Sequence, residues 1–143
     1  MLGGNDFITI WNRLSNGRFI RQEITVKCRY THKTVSTHTG AGRGMAANVA
    51  SVTACRIPYV KNYRRPEVWV EMSAEDQRTY FTVQADDYLA LGIHKYEIGA
   101  DKVLDEITLP KLREKLQSNV MEVKAVNDST HTPLGKHIRV EGV

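Results

Sequence analysis

The strongest constraint on the fold lies in the stretch Arg18–Tyr30, where apolar and polar residues alternate without a break from Glu23 onwards. On a pleated strand, successive side chains point to opposite faces, so this pattern collects the apolar groups on one face. A helix with 3.6 residues per turn would scatter the same groups around its axis. The sequence therefore predicts a long antiparallel strand whose apolar face has to be covered. The apolar positions are Ile24, Val26, Cys28 and Tyr30.

A second strand is predicted just before it. Phe7–Leu14 is rich in β-branched and aromatic residues, and Asn16-Gly17 follows at once. Asn-Gly between two apolar segments favours a hairpin with a type I′ turn, in which both central residues have positive φ. We expect Phe7–Leu14 to pair antiparallel with the strand that begins at Arg18.

A third strand is predicted at Val49–Ile57 and is stopped by Pro58. Four further short strands and one helix are predicted after it. The helix, Ile107–Ser118, has Thr108 as its cap, Pro110 in its first turn and one leucine stripe, which suits a helix lying on a sheet. The predicted later strands are Val68–Met72, Tyr80–Gln84, Val120–Val126 and His137–Val143, and the stripe consists of Leu109, Leu112 and Leu116.

This order of elements predicts a mainly β fold: a small antiparallel β-barrel with one short α-helix near the C-terminal third, at about 108–118, and a long flexible loop at about 32–48. The 143 residues fit one domain, 1–143. Hydrophobic and charged contents of 41% and 25% are ordinary for a globular chain. No segment resembles a signal peptide or a membrane helix, so we expect neither export by a signal peptide nor embedding in a membrane.

The loop 32–48 carries three closely spaced glycines without the spacing of a phosphate-binding loop, and its two histidines have no neighbouring acid or cysteine. Cys28 and Cys55 lie in apolar strand patterns, which indicates buried reduced thiols rather than a disulfide. Asp86 and Asp87 are interpreted as a turn, because consecutive strand residues point apart. The sequence therefore suggests no catalytic residue, no cofactor and no metal site, and we expect no enzyme.

Charge is distributed unevenly. Between Ile24 and Pro66 there are eight Lys and Arg residues and no Asp or Glu, so this region carries +8 although the whole chain carries +4. The asymmetry favours a docking surface for nucleic acid or an acidic protein. The alternative is a solvated face whose charges are offset by carboxylates from later strands.

Within this basic region, Tyr59–Pro66 interleaves aromatic and basic residues. Such a mixture can stack on and clamp nucleic acid, and it is also common at protein interfaces, which is the preferred interpretation. The candidate interface and arm residues are Lys33, Arg43, Tyr59, Lys61, Tyr63, Arg64 and Arg65.

Several short motifs resemble a family of structural proteins from the head-to-tail module of tailed bacteriophages and prophages, of the head-closure (stopper) or connector type. The resemblance extends over nearly the whole chain, although a glycine usual in the family is replaced in Ala85-Asp86-Asp87. The motifs are 8–13, 25–30, 56–58, 81–92, 120–128 and 136–142.

The resemblance implies a β-barrel protomer of a homo-oligomeric ring, with 6 or 12 copies, in the virion neck, assembled in the host cytoplasm. It implies a portal or adaptor protein above the ring, a tail-terminator or tail tube protein below it, and DNA in the channel; it implies no catalytic residues. The alternatives are a tail-terminator or tail-completion ring protein and a stand-alone nucleic-acid-binding barrel. The last would use Tyr59, Tyr63, Arg64 and Arg65 for stacking.

Overall fold

A computed structural model describes residues 6–38, 47–100, 102–131 and 135–143, apart from the side chains of 35–38 and 47–50. Six strands form a closed antiparallel barrel in the order β1-β2-β3-β8-β7-β4, and β5 and β6 form a separate parallel pair. The predicted mainly β barrel is therefore confirmed. The strands are β1 Asp6–Arg13, β2 Phe19–His38, β3 Ala47–Pro58, β4 Tyr88–Leu91, β5 Glu97–Ile98, β6 Glu106–Ile107, β7 Val120–Asp128 and β8 His137–Gly142.

The predicted hairpin joins β1 to β2, but its turn is of another type. The backbone N–H of Gly17 donates to the carbonyl oxygen of Leu14, and the N–H of Leu14 donates to the carbonyl oxygen of Arg18. Gly17 has φ 85°, whereas Asn16 is not among the residues with positive φ. This is a three-residue loop with glycine in the left-handed position, which is the second most common way to close a hairpin.

The interior of the barrel is filled by the alternating side chains that the sequence predicted. Ile24 and Cys28 are buried, and Val26 and Tyr30 pack against the same cluster from partly exposed positions. In β8, Ile138 is fully buried while its neighbour Arg139 is exposed. Because the inward positions from Ile24 to Tyr30 are apolar, a shift of one residue would expose this set and bury charge, which fixes the register.

A second cluster lies on the outside of β1, β4 and β7. There, Trp11, Tyr88 and Val120 point away from the interior and are covered by the predicted helix, α3 (Leu109–Leu116). Leu112 is completely buried, and Leu109 and Leu116 are packed at the rim of the cluster. The helix covers one side of the barrel as predicted, although Thr108 makes no side-chain cap bond.

The prediction of a loop at 32–48 is wrong at both ends of this segment, which are strands. β2 continues to His38, and β3 already begins at Ala47, with residue pairs from Lys33 opposite Val52 to His38 opposite Ala47. β8 stops at Gly142, which is opposite Thr53, so the part of β3 before Thr53 pairs with β2 only. Residues 33–38 and 47–52 thus form a two-stranded ribbon beyond the barrel, whereas 39–46 lie outside the described residues.

The predicted strands Val68–Met72 and Tyr80–Gln84 are also wrong. Two short helices occupy this region, α1 at Pro66–Trp69 and α2 at Ala74–Thr79. Tyr80–Gln84 is irregular and contributes one isolated bridge, Phe81 to Tyr63. Their apolar residues are buried as single anchors rather than along a strand face: Trp69 and Phe81 are 1% and 0% exposed.

Candidate functional site: a row of arginines on the open face of the barrel

The outer surface of the barrel differs between its two sides. Around Trp11 of β1, Tyr88 of β4 and Val120 of β7 it is apolar and packs in one cluster with Leu112 of α3. On β2, β3 and β8 the outward side chains are mostly polar, and each strand contributes cationic groups to this surface. This second side, which we call the open face, is defined by Lys27, Arg29, Thr31, Lys33, Ala54, Arg56, Arg139 and Glu141.

Three arginines form a row across the open face. Arg29 of β2 stands opposite Arg56 of β3, and Arg56 stands opposite Arg139 of β8. Neighbouring strands are about 4.8 Å apart, so the row spans roughly 10 Å. Like charges placed directly opposite each other on neighbouring strands are destabilising, so this arrangement is a cost to the isolated barrel.

A cleft of about 260 Å³ lies along this row. Besides the three arginines, Thr31 and Lys33 line it from β2 and Ala54 lines it from β3. Guanidinium groups present a rigid set of N–H donors that matches the oxygens of carboxylates and phosphates. The cleft therefore has the donors and the positive charge to bind an oxyanion.

The row is only weakly neutralised by the protein itself. Arg139 forms an ion pair with Glu141 at 3.2 Å, with both side chains about half exposed. Within the described residues, neither Arg29 nor Arg56 has an acidic partner. An exposed ion pair contributes little in water, so the charge of all three arginines stays available to a ligand.

The residues predicted from sequence do not come together at one place. Lys33 lines the arginine cleft, while Arg43 lies outside the described residues. Tyr59 is 48% exposed, with the Lys136 ammonium 5.6 Å from the centre of its ring. Lys61 is exposed.

Tyr63 and Arg64 are held by the fold, which corrects their proposed role in stacking. Tyr63 is 4% exposed and donates a hydrogen bond from its hydroxyl to Asp128 at 2.9 Å. Arg64 donates to the carbonyl oxygens of Lys61 and Tyr63, and its guanidinium lies 4.2 Å from the centre of the Tyr80 ring. Neither side chain is free to receive a base.

A second cleft, of about 450 Å³, contains Arg65. The guanidinium of Arg65 lies 3.8 Å from the carboxylate of Asp128. Tyr63 and His131 line the same cleft. Burial opposes ionisation of Asp128, but hydrogen bonds from Thr130 and Tyr63 and the charge of Arg65 together lower the pKa of this carboxyl. Arg65 is thus partly neutralised, unlike Arg29 and Arg56, which have no acidic partner among the described residues.

Arg29 and Arg56 belong to the basic region between Ile24 and Pro66, but neither they nor Arg139 are among the candidate residues predicted from sequence. The alternation around Ile24 predicted only that Arg29 lies on the polar face of its strand. The alignment of the three arginines depends on the register between strands 27 and 83 residues apart, which local periodicity does not contain.

In the described part of the chain, no group of three or more His, Cys, Asp or Glu side chains is arranged to hold a metal ion. No helix in the same part is long and apolar enough to cross a membrane.

Comparison with curated proteins and with solved structures finds no match to this chain. A family model described as "Family of unknown function (DUF6751)" matches residues 3–143. Because the match extends over nearly the full length, the chain belongs to the DUF6751 family.

Proposed function

We propose that this protein is a structural subunit of a tailed-phage neck, which forms a ring between the portal or adaptor and the tail, closes the DNA-filled head and docks the tail. The observation that carries the proposal is the two-stranded ribbon that extends beyond a closed barrel. The sequence resemblance to head-closure proteins supports it independently.

The ribbon is suited to assembly. Six residue pairs, from Lys33 opposite Val52 to His38 opposite Ala47, extend it by roughly 20 Å at the rise of an antiparallel strand. A two-stranded ribbon alone is marginally stable in water, and its free edges can pair with another chain. Contact with a neighbouring subunit would supply the missing packing.

The barrel supplies the rigid part of such a subunit. Its six strands leave no free edge within the closed sheet, and its interior is a continuous apolar cluster. A ring subunit needs a scaffold that keeps its shape and an extension that reaches the next copy. The barrel and the ribbon divide these tasks between them.

Removal of the ribbon tests the proposal. Residues 33–52 would be replaced by Asn-Gly, which joins His32 to Thr53, the residue opposite it in the ladder. We expect the shortened protein to unfold at nearly the wild-type temperature and to form no ring of 6 or 12 copies by mass photometry, alone or with candidate portal and tail proteins.

Rings of wild-type copy number from the shortened protein would contradict the role of the ribbon. A wild-type protein that stays monomeric with every candidate neighbour and is missing from purified virions would contradict the proposed function. Localisation by electron microscopy of labelled particles separates a neck ring from the alternative, a tail-terminator or tail-completion ring.

A further inference from the structure

We infer that the arginine row on the open face binds the phosphate backbone of duplex DNA. Proximity to DNA would deepen the proposed function, since a neck ring lies next to packaged DNA. The binding itself is a property of the single chain and is measured without a ring, so either idea can fail alone.

The first step is the spacing of charge. The backbone positions of Arg29, Arg56 and Arg139 span roughly 10 Å across three neighbouring strands. Duplex DNA carries one negative charge per about 1.7 Å of its axis, so about six phosphate charges lie within that length. Each arginine therefore has a phosphate within reach of its flexible side chain.

The second step is the absence of competing carboxylates. Arg29 and Arg56 have no acidic partner in the described part of the chain, and Arg139 has only the exposed Glu141. Binding a phosphate replaces a repulsive Arg–Arg contact by an attractive one, because the anion lies between the cations. A phosphate is therefore bound most favourably where the positive charge of the free protein is least neutralised by its own carboxylates.

The third step separates duplex from single-stranded DNA. Proteins that hold single strands combine a basic groove with aromatic side chains on which the bases stack. The open face has no aromatic side chain among its outward residues, since Tyr30 of β2 packs on the inner cluster. Its chemistry is that of backbone contacts, which are independent of sequence.

Lys33 extends the row along β2. It lines the same cleft as Arg29 and is exposed. Lys27, two residues before Arg29 on the same strand, is exposed on the same face. The face thus presents five cationic side chains against one carboxylate, Glu141.

The experiment measures binding of the purified full-length chain to a random-sequence 30-base-pair duplex as a function of salt. The test variant is R29S/R56S/R139S, and the control is R18S/R78S/K95S, which removes the same charge from exposed positions outside the cleft. Loss of three phosphate contacts lowers the slope of log K against log salt by about 2.7. Between 50 and 200 mM salt, the affinity of the test variant should therefore change about 40-fold less than that of the wild type.

The control should keep the wild-type slope and should bind at least ten times more tightly than the test variant at 50 mM salt. Circular dichroism is used to check that both triple variants are folded. If the test variant is unfolded, the single variant R56S replaces it, with an expected change in slope of about 0.9.

Three results would overturn the inference. The first is no binding of wild-type protein to the duplex at 50 mM salt. The second is an equal loss of slope in both triple variants, which would mean that net charge alone is sensed. The third is tighter binding of polyglutamate than of the duplex, which would identify the face as a site for an acidic protein segment.

Discussion

Asn12 donates a hydrogen bond from Nδ2 to Oδ2 of Asp87 over 2.9 Å, and neither side chain is exposed. The same carboxylate accepts from the backbone N–H groups of Arg13 and Gln84, at 2.8 and 3.0 Å. Asn12 also donates to the carbonyl oxygen of Thr82. This network connects the segment before β4 to the end of β1. That segment has no regular secondary structure of its own to fix its position.

Loss of either side chain should destabilise the fold strongly. D87A leaves the amide of Asn12 and two backbone N–H groups with fewer acceptors in a buried site, and N12A removes a donor from a buried carboxylate. Each should lower the free energy of unfolding by roughly 2–4 kcal/mol, measured by urea denaturation. The exposed neighbour Asp86 provides the control, D86N, which should stay within about 0.5 kcal/mol. Costs below 1 kcal/mol for both buried variants would contradict the importance of the network.

The same carboxyl group should make stability depend on pH. Burial raises the pKa of Asp87 to about 7, against the opposing effect of hydrogen bonds from Arg13, Asn12 and Gln84. The folded state then holds a proton that the unfolded state has already lost above about pH 4. The contribution of Asp87 to stability should therefore be largest below about pH 4 and should fall as pH rises towards 7, by up to about 1.4 kcal/mol per pH unit.

The test compares wild type with D87N by urea denaturation between pH 4.5 and 7.5. D87N is less stable overall because its amide N–H₂ faces other donors, but it should lack this slope. Equal slopes in the two proteins would show that Asp87 does not titrate in this range.

Gly142 allows the last strand to approach its neighbour closely. A Cβ added at this position would overlap the carbonyl oxygen of Glu122 in the adjacent strand. The N–H of Glu122 donates to the carbonyl oxygen of Val143, so the two strands are not free to separate here. G142A should cost about 1–3 kcal/mol in thermal or urea unfolding. T25A, at an exposed position of β2, should be near neutral, and a neutral G142A would refute the close approach.

The arginine row should itself lower the stability of the free protein. Arg56 lies between Arg29 and Arg139, so R56Q removes two repulsive pairs. We expect R56Q to be more stable than wild type by roughly 0.2–1 kcal/mol at low salt. This gain in stability should vanish in 1 M salt, because the Debye length is then about 3 Å and the repulsion between the arginines is screened. If R56Q is less stable than wild type at low salt, the charge of Arg56 takes part in a favourable interaction in solution, which would contradict the repulsion.

The two thiols should be inert in the native protein. Cys28 and Cys55 are 0% and 1% exposed and are not joined in a disulfide. The neighbouring Cys28 and burial together raise the pKa of the Cys55 thiol, which disfavours the reactive thiolate. A thiol reagent should react with both cysteines only on unfolding, with kinetics that follow the loss of structure. Rapid reaction of either thiol under native conditions would contradict this burial.

Local sequence patterns are sufficient to predict the elements in which one short-range rule dominates. The alternation around Ile24 places its side chain inside, Asn16-Gly17 forms a hairpin, and the leucine stripe around Leu112 faces the sheet. In each case the side-chain period or the backbone freedom of one residue leaves a single arrangement that buries apolar surface.

Other features depend on contacts between residues far apart in the chain, and local patterns did not predict them. Val68–Met72 has a strand-like composition, but Val68 and Trp69 end the helix α1 and the next three residues form a turn. Trp69 is buried as a single anchor that donates to the carbonyl oxygen of Tyr80. The polar stretch 32–38 becomes strand because β3 pairs with it over the full length of the ribbon. The row of Arg29, Arg56 and Arg139 exists only through the registers of three strands, which barrel closure sets and no local pattern encodes.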